Sequence, residues 1–351
     1  MIRVAINGLG RIGRASFKVL MNDPEVEIVA VNDLAAPHQL AYLLNFDTVY
    51  GKIQKRVTND NSNLYTQGSA IKVYNIADPS YLPWRDLHID VVLECTGKFT
   101  RKEDLQKHLN AGAKHVVLSA PSDSEDVLTI VHGVNNHQEA NVEIVSCASC
   151  TTNCIAPVLE VLERRIGVKK AIMTTVHAYT SNQSVTDGPD NDMRRGRAAA
   201  ANFIPISTGA SQATTKVLPQ LRNKFEGVAI QGPVAVGSLA DITVLVSRNT
   251  SVEEINRIFS EEAGSERYVN ILGVNVEPIV SSDIMLDPRA SVVDLTMTQV
   301  VDGDLVKIMS WYDNEYGYVN QMIKEVKRIG HMHNRFEHYQ QQSHQEIELV
   351  G

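Results

Sequence analysis

The first 33 residues limit the fold of this chain more than any other stretch. Ile2 to Ile6 alternates as a strand should and runs into Gly8-Leu9-Gly10-Arg11-Ile12-Gly13, a G-x-G-x-x-G. A helical pattern follows from Arg14 to Met21, then a second strand, Val26 to Val31, ending in Asn32-Asp33. Glycines so placed allow a tight turn and let a pyrophosphate approach the backbone at a helix N-terminus. An acidic residue about 20 positions on can take ribose hydroxyls, and Asp33 stands twenty residues after Gly13. A lone G-x-G-x-x-G often marks only a tight loop. Here strand, glycines, helix, strand and acid come in order, so a dinucleotide-binding unit is expected. Asp33 would repel a 2′-phosphate and no Arg follows closely to receive one, which favours NAD over NADP.

Leu40 to Trp84 mixes short strands with polar turns and reads as an excursion from the main sheet. Asp90 to Gly97 is an apolar strand ending in a small-residue turn. A helical stretch, Lys102 to Ala111, and a strand, His115 to Leu118, follow it. Strands alternating with helices predict a parallel, doubly wound sheet with ligands at its carboxyl ends. Cys95 reads as a small buried residue beside the cofactor. After Cys150 the pattern changes to longer strands (Ala171–Val176, Gly227–Ile230, Ile242–Arg248, Val292–Asp294, Leu305–Trp311). Helices are expected over Gln212–Leu221, Val252–Ala263 and Gly317–Ile329. This predicts an α+β domain on a mostly antiparallel sheet.

With 351 residues, 43% hydrophobic and 21% charged, the composition is that of a two-domain soluble protein. A formal charge of −8 without a long basic block argues against nucleic acid or an anionic membrane as partner. No apolar run approaches the ~20 residues of a membrane span. The N-terminus enters a strand without signal-peptide features. Three of the four cysteines crowd into eight residues, unlike a secreted disulfide framework. A cytoplasmic protein is expected.

The second chemical signal is Ser149-Cys150-Thr151-Thr152-Asn153-Cys154, between an apolar strand, Val142 to Val145, and a helix, Cys154 to Ile166. Free N–H groups and the helix dipole favour an anion there, so a thiol becomes a usable nucleophile. His177 closes the strand Ala171 to Val176 and could serve as general base and acid. Residue types alone leave a catalytic Cys/His pair and a buried structural Cys both open.

Asn7-Gly8-Leu9-Gly10-Arg11-Ile12-Gly13-Arg14, Ser149 to Cys154, Thr174-Thr175-Val176-His177-Ala178-Tyr179-Thr180, Ser207-Thr208-Gly209-Ala210 and Ser310-Trp311-Tyr312-Asp313-Asn314-Glu315 together resemble the phosphorylating glyceraldehyde-3-phosphate dehydrogenase family. The match runs in order from residue 2 to about 329. The resemblance implies a glycolytic homotetramer that uses NAD and inorganic phosphate to turn an aldehyde phosphate into an acyl phosphate. The fold class would be α/β, an N-terminal Rossmann dinucleotide-binding domain (1–149) completed by a C-terminal helix at about 315–330. The α+β catalytic domain would span 150–314, and 331–351 would be a polar, disordered tail whose histidines (His331, His333, His338, His344) are solvated.

By resemblance, Cys150 attacks the aldehyde and His177 manages the proton, through a hemithioacetal and a thioester. The Cys150 N–H and His177 stabilise the oxyanion. Asn7, Gly8, Gly10, Arg11, Ile12, Gly13 and Asp33 bind the dinucleotide, with Thr96, Gly97, Phe99 and Ser119 lining the cleft. Asn314 fixes the nicotinamide amide and Tyr318 packs near the ring. Thr180 and Arg195, or the adjoining Arg194, hold the substrate's phosphate. Ser149, Thr151, Thr208 and Gly209 hold inorganic phosphate, Thr208 having an ordinary helix cap as its alternative. No metal is implied.

Three departures from the family pattern stand out, at Gln231 and its surroundings, at Ala77 and at Cys147. Gln231 occupies the place of an Arg that bridges both phosphate sites, and an amide cannot make the charged fork of a guanidinium. Gln212 replaces a customary Lys, and Asn182 is neutral, so positive charge is thinned. Another aldehyde, such as erythrose 4-phosphate, or a weakly active NAD-binding regulatory role are the alternatives this raises. Ala77 stands where relatives place an Arg beside the adenine. Cys147 completes a Cys147-Ala-Ser-Cys150 C-x-x-C. No second pair has the spacing of a zinc site, and a thioredoxin-like oxidoreductase would lack the glycine loop. Cys147 either resolves an oxidised Cys150 as a disulfide or is a small buried residue.

Overall fold

The computed structural model describes residues 1–136 and 142–332. Within them the first sheet has nine strands: Leu128–Thr129, Ile144–Ser146, His115–Leu118, Val91–Glu94, Ile2–Asn7, Val26–Asn32, Ser69–Tyr74, Asn63–Thr66 and Thr58–Asn59, in that spatial order. Every pairing from the first of these to Ser69–Tyr74 is parallel. Ile2–Asn7 and Val91–Glu94 lie at the middle, covered on both faces, and so read as near-continuous apolar runs.

The segment from 40 to 84 differs from its expectation. A helix, Pro37–Asn45, precedes the short strands, and Ser69–Tyr74 joins the main sheet parallel to Val26–Asn32. Asn63–Thr66 and Thr58–Asn59 then extend that sheet antiparallel, so the segment is an edge of the sheet rather than an excursion. The short strands were expected, but their pairing depends on a partner strand much earlier in the chain, which local pattern does not reveal.

The second sheet runs Ile204–Ser207, Phe225–Gly232, Val168–Ala178, Ser238–Val246, Leu305–Tyr312, Ser291–Asp294 and Leu272–Asn275, with Gln299–Val301 beside Leu305–Tyr312. It is mostly antiparallel; Val168–Ala178 runs parallel to Phe225–Gly232, and Leu272–Asn275 to Ser291–Asp294. The helices Cys150–Arg165 and Val252–Ala263 bury Val158, Leu159, Leu162, Ile255 and Phe259 in the core with one face of it. On the other face Ile172, Val176 and Val228 are exposed.

A last helix covers 316–332. Its Tyr318, Val319, Met322, Ile323, Val326 and Ile329, three and four apart, form one stripe that joins the first sheet's core with Ile2, Phe17 and Leu20. His331 belongs to this helix and pairs with Glu25 rather than lying in a tail. The remainder of the expected tail, with His333, His338 and His344, lies outside the described residues. No helix among the described residues is long and apolar enough to cross a membrane.

Candidate active site

The strand Ile144–Ser146 hands the chain to Ala148, whose φ of 56° turns it sharply. Ser149 becomes the N-cap of the next helix, its hydroxyl accepting the Thr152 N–H at 3.1 Å. Cys150 is therefore the first helical residue, at the positive end of the dipole. The strand Val168–Ala178 alternates so that Thr175 and His177 point inward and Val176 outward. This brings His177 Nε2 to 3.4 Å from Cys150 Sγ. His177 Nδ1 donates to the Ala178 carbonyl at 2.6 Å, which leaves Nε2 to take the thiol proton. Burial works against a proton on His177, but the charge of Cys150, its hydrogen bond and the Ala178 carbonyl outweigh it and raise the pKa.

Tyr312 supports this pair and was not among the expected site residues. Its ring meets His177 edge-on, with centroids 5.9 Å apart at 69°. Its hydroxyl bridges Thr151 Oγ1 (3.0 Å) and Thr175 Oγ1 (2.8 Å). Burial first, then the charges of Cys150 and Cys154, keep the phenol protonated. The Thr151 hydroxyl, expected on inorganic phosphate, is thus turned inward to Tyr312. Tyr312 lay inside a quoted motif, but the expected strand stopped at Trp311, so nothing in the sequence marked its side chain for the site.

Burial pushes Cys95 and Cys154 up to about 12. Cys147 is 4% exposed, sits in the first sheet's core, and has its pKa raised by burial and then by Glu325. Tyr318, also buried, donates its hydroxyl to the Ala148 carbonyl at 3.0 Å, bracing the turn before Cys150.

A cavity of about 350 Å³ at the carboxyl ends of the central parallel strands gathers Gly8, Gly10, Asp33, Thr96 and Phe99. Gly8 (φ 93°) has no room for a side chain, since a Cβ would lie 2.8 Å from the Thr96 nitrogen. A Cβ on Gly10 would meet nothing within 4 Å, so the backbone there opens onto the cleft, while Gly97, also with open space around it, follows the cleft residue Thr96. Asp33 accepts the Leu9 and Ala35 N–H groups at 2.7 and 2.9 Å, which fixes its carboxylate at the cleft mouth. Gly10 caps the helix Arg11–Leu20 without a side chain, so the first N–H groups, of Arg11, Ile12 and Gly13, have no intrahelical acceptor. These features fit a dinucleotide.

Two expected cofactor residues have other tasks for their side chains. The Arg11 guanidinium pairs with Glu315 and Asp47, which hold it firmly charged. Only its backbone faces the turn. Asn7 is fully buried: its Nδ2 donates to Glu94 (2.6 Å) and its Oδ1 accepts from Asn32 (2.7 Å). Glu94 also meets His108 Nε2 at 3.1 Å, and Trp84 donates to His108 Nδ1 at 3.0 Å. This buried chain ties three strand ends together beneath the cleft. Ser119 joins the same edge through its N–H on the Glu94 carbonyl (3.0 Å) and a contact with Cys95. Asn314 Oδ1 accepts from Gly237 N and Ser238 Oγ, both at 3.1 Å, leaving its Nδ2 to donate.

The phosphate candidates are scattered. Thr180 lines a separate cavity of about 500 Å³ with Arg11, Glu315 and Gln183, whose Oε1 accepts the Thr180 N–H at 3.0 Å. Arg195 turns to Asp192 in its own loop, and Arg194 donates to the Pro205 carbonyl at 3.1 Å. Thr208 Oγ1 accepts the Ala210 N–H at 3.2 Å in a local turn, beside exposed Gly209, which is the N-cap of the helix Ala210–Val217. Gln231 is buried on the strand next to His177.

Comparison with known proteins gives the family of the chain. The family model described as glyceraldehyde 3-phosphate dehydrogenase, NAD binding domain, matches residues 2–102, and its C-terminal domain counterpart matches 149–314. The chain is 46% identical over 332 residues to glyceraldehyde-3-phosphate dehydrogenase 2 of Streptomyces avermitilis, covering 94% of this chain and 98% of the relative. It is 46% identical over 325 residues to glyceraldehyde-3-phosphate dehydrogenase 1 of Bacillus cereus (92% and 97%). With the glyceraldehyde-3-phosphate dehydrogenase of Thermotoga maritima it shares 47% over 332 residues (94% and 99%).

Proposed function

The chain belongs to the glyceraldehyde 3-phosphate dehydrogenase family, and from that premise we propose how its own residues carry out NAD-dependent, phosphorylating oxidation of glyceraldehyde 3-phosphate to 1,3-bisphosphoglycerate. The observation that carries the reading is the 3.4 Å approach of His177 Nε2 to Cys150 Sγ at a helix N-terminus. His177 Nε2 takes the proton of the Cys150 thiol, and the thiolate so formed is the nucleophile. The thiolate attacks the aldehyde carbon, and the carbonyl oxygen takes the proton, giving a hemithioacetal. The developing oxyanion meets the Cys150 N–H and His177. His177 then removes the hydroxyl proton as the substrate gives up its hydride, with Nδ1 anchored on Ala178 throughout. Bound NAD supplies the hydride acceptor. Phosphate attacks the resulting thioester, the C–S bond breaks, and the thiolate returns to His177.

Asn314 Nδ2 suits the nicotinamide amide and Asp33 the adenosine ribose. Thr180 and Arg195 are assigned to the substrate phosphate, Ser149, Thr208 and Gly209 to inorganic phosphate. The two separate cores support a dinucleotide domain, 1–149 with the last helix, and a catalytic domain, 150–314. The relatives' names give no support to erythrose 4-phosphate or to a regulatory role.

NADH formation from glyceraldehyde 3-phosphate, with and without inorganic phosphate, tests the reaction. Phosphate-dependent turnover abolished by Cys150→Ser is expected; turnover indifferent to phosphate or to that substitution would refute it. A cytoplasmic homotetramer is part of the same reading, supported by free thiols and by the uncovered face of the second sheet. Ile172, 62% exposed there, would be covered by a second copy. Light scattering should give four chains for the wild type and fewer for Ile172→Asp; a monomeric wild type would overturn the assembly.

A further inference from the structure

We propose that Tyr50 is a positioning residue for hydride transfer: its hydroxyl, held on Asp313, fixes the turn that aims Asn314 at the nicotinamide, a role that rests on the NAD-dependent reaction above and on the place given there to Asn314.

The turn around Asn314 is built on one buried carboxylate. Asp313 is 1% exposed. Its Oδ1 accepts the Glu315 and Tyr316 N–H groups at 2.9 and 2.8 Å, and its Oδ2 accepts the Leu286 N–H at 2.8 Å. The first two bonds span Asn314 and open the helix 316–332, so the backbone of Asn314 goes where Asp313 holds it. The fourth donor comes from a different part of the chain: Tyr50, 263 residues away in sequence, gives its hydroxyl to Oδ1 at 2.8 Å. Burial, and then the charges of Asp313 and Glu315, keep this phenol protonated, so it always donates. Burial also raises the pKa of Asp313 while these four bonds oppose it. Removing one of them leaves the carboxylate, and the turn it organises, less firmly set.

The cofactor turn places the Tyr50 ring. Arg11, the first residue of the helix after the glycines, has its guanidinium carbon 5.5 Å from the ring centroid. The same guanidinium pairs with Glu315 and with Asp47, whose Oδ1 accepts the Tyr50 N–H at 3.2 Å. Tyr316 packs against Tyr50 with centroids 6.2 Å apart. Arg11, Tyr50, Asp313 and Asn314 thus form one run of contacts from the pyrophosphate end of the cofactor site to its nicotinamide end. Affinity for the dinucleotide comes from the free N–H groups of the glycine turn and from Asp33, and the Tyr50 hydroxyl touches neither. Hydride transfer is far more sensitive to alignment than binding is. In that step the hemithioacetal carbon loses its hydride to bound NAD and its hydroxyl proton goes to His177, with no bond to Tyr50 made or broken.

Tyr50→Phe in the full chain keeps the ring against Arg11 and Tyr316 and removes only the hydroxyl. Its turnover should fall about tenfold, the equivalent of one hydrogen bond, with the KM for NAD within about twofold of wild type. The isotope effect with substrate deuterated at the aldehyde carbon should rise, because the hydride step has slowed. Tyr50→Phe added to Asn314→Ala should cost no further turnover, since Tyr50 acts through Asn314. Several results would overturn the proposal: a lower urea midpoint with turnover and isotope effect unchanged, a raised KM for NAD with turnover unchanged, or losses in the double variant that simply add. Tyr50→Leu also lacks the hydroxyl and reads the same isotope effect if the Phe variant does not fold. A wild type whose turnover ignores phosphate removes the reaction and the proposal together, whereas a normal wild type matched by Tyr50→Phe removes the role of Tyr50 alone.

Discussion

Tyr312→Phe separates support of the catalytic pair from participation in chemistry. The phenol bridges two buried threonines. Thr175 keeps a second acceptor, the Leu239 carbonyl at 3.4 Å. Thr151 loses its one side-chain partner among the described residues. One lost hydrogen bond and one stranded buried hydroxyl should cost about 2 kcal/mol of stability. The ring that packs on His177 stays, so the 3.4 Å approach to Cys150 is kept. We therefore expect a clearly lower urea midpoint, read by tryptophan fluorescence, with turnover within about threefold of wild type. A turnover loss of about a hundredfold at unchanged stability would refute this reasoning. It would mean that the hydroxyl moves a proton rather than holding two strands in place.

Three further outcomes follow from the site. His177 has its pKa raised despite burial, chiefly by Cys150, so its contribution to stability is fully present below about 6.5 and is lost as pH rises through the higher folded value. The thermal midpoint advantage of wild type over His177→Asn should shrink across that window; an advantage that grows with pH contradicts the ion pair. Asp33→Ala, which frees the Leu9 and Ala35 N–H groups, should weaken NAD about tenfold and raise the NADP-to-NAD activity ratio, measured by KM for each. Because the Cys147 thiol is buried with its ionisation suppressed, peroxide should oxidise Cys150 without forming a Cys147–Cys150 disulfide, and a crosslinked peptide in mass spectrometry would disprove it.

What could be read in advance followed from local chemistry. The glycine loop and Asp33 were legible because a tight turn, a close approach and a fixed acid leave few residue choices. The place of Cys150 at a strand-to-helix junction was legible from the patterns on either side, whereas residue types alone left a structural thiol as open as a catalytic one. The tasks of Asn7 and Arg11 were not legible: their partners Glu94 and Glu315 lie far along the chain and meet them only after the sheet and the last helix assemble. Tyr312 stayed hidden for the same reason, since its threonine partners arrive from a helix and a different strand. The short strands between 40 and 84 were expected, but their attachment to the main sheet was not, because Ser69–Tyr74 pairs with Val26–Asn32 far back along the chain.

Asn314 shows how the fold chooses which end of a side chain meets a ligand. It has its oxygen saturated by Gly237 and Ser238, so it offers a donor. Ser238 also accepts the Ala178 N–H at 3.1 Å, which links Asn314 to the strand that carries His177. Asn314→Asp should keep both bonds to its oxygen and hence the fold, but replace the donor with a second acceptor. With one donor lost and an oxyanion in its place, about 2–3 kcal/mol of nicotinamide positioning goes, a fall in turnover of roughly thirty- to a hundred-and-sixtyfold. Unchanged stability with that loss places Asn314 on the cofactor. If instead stability fell and the turnover of the remaining folded protein did not, Asn314 would be only the clamp that joins Gly237 and Ser238.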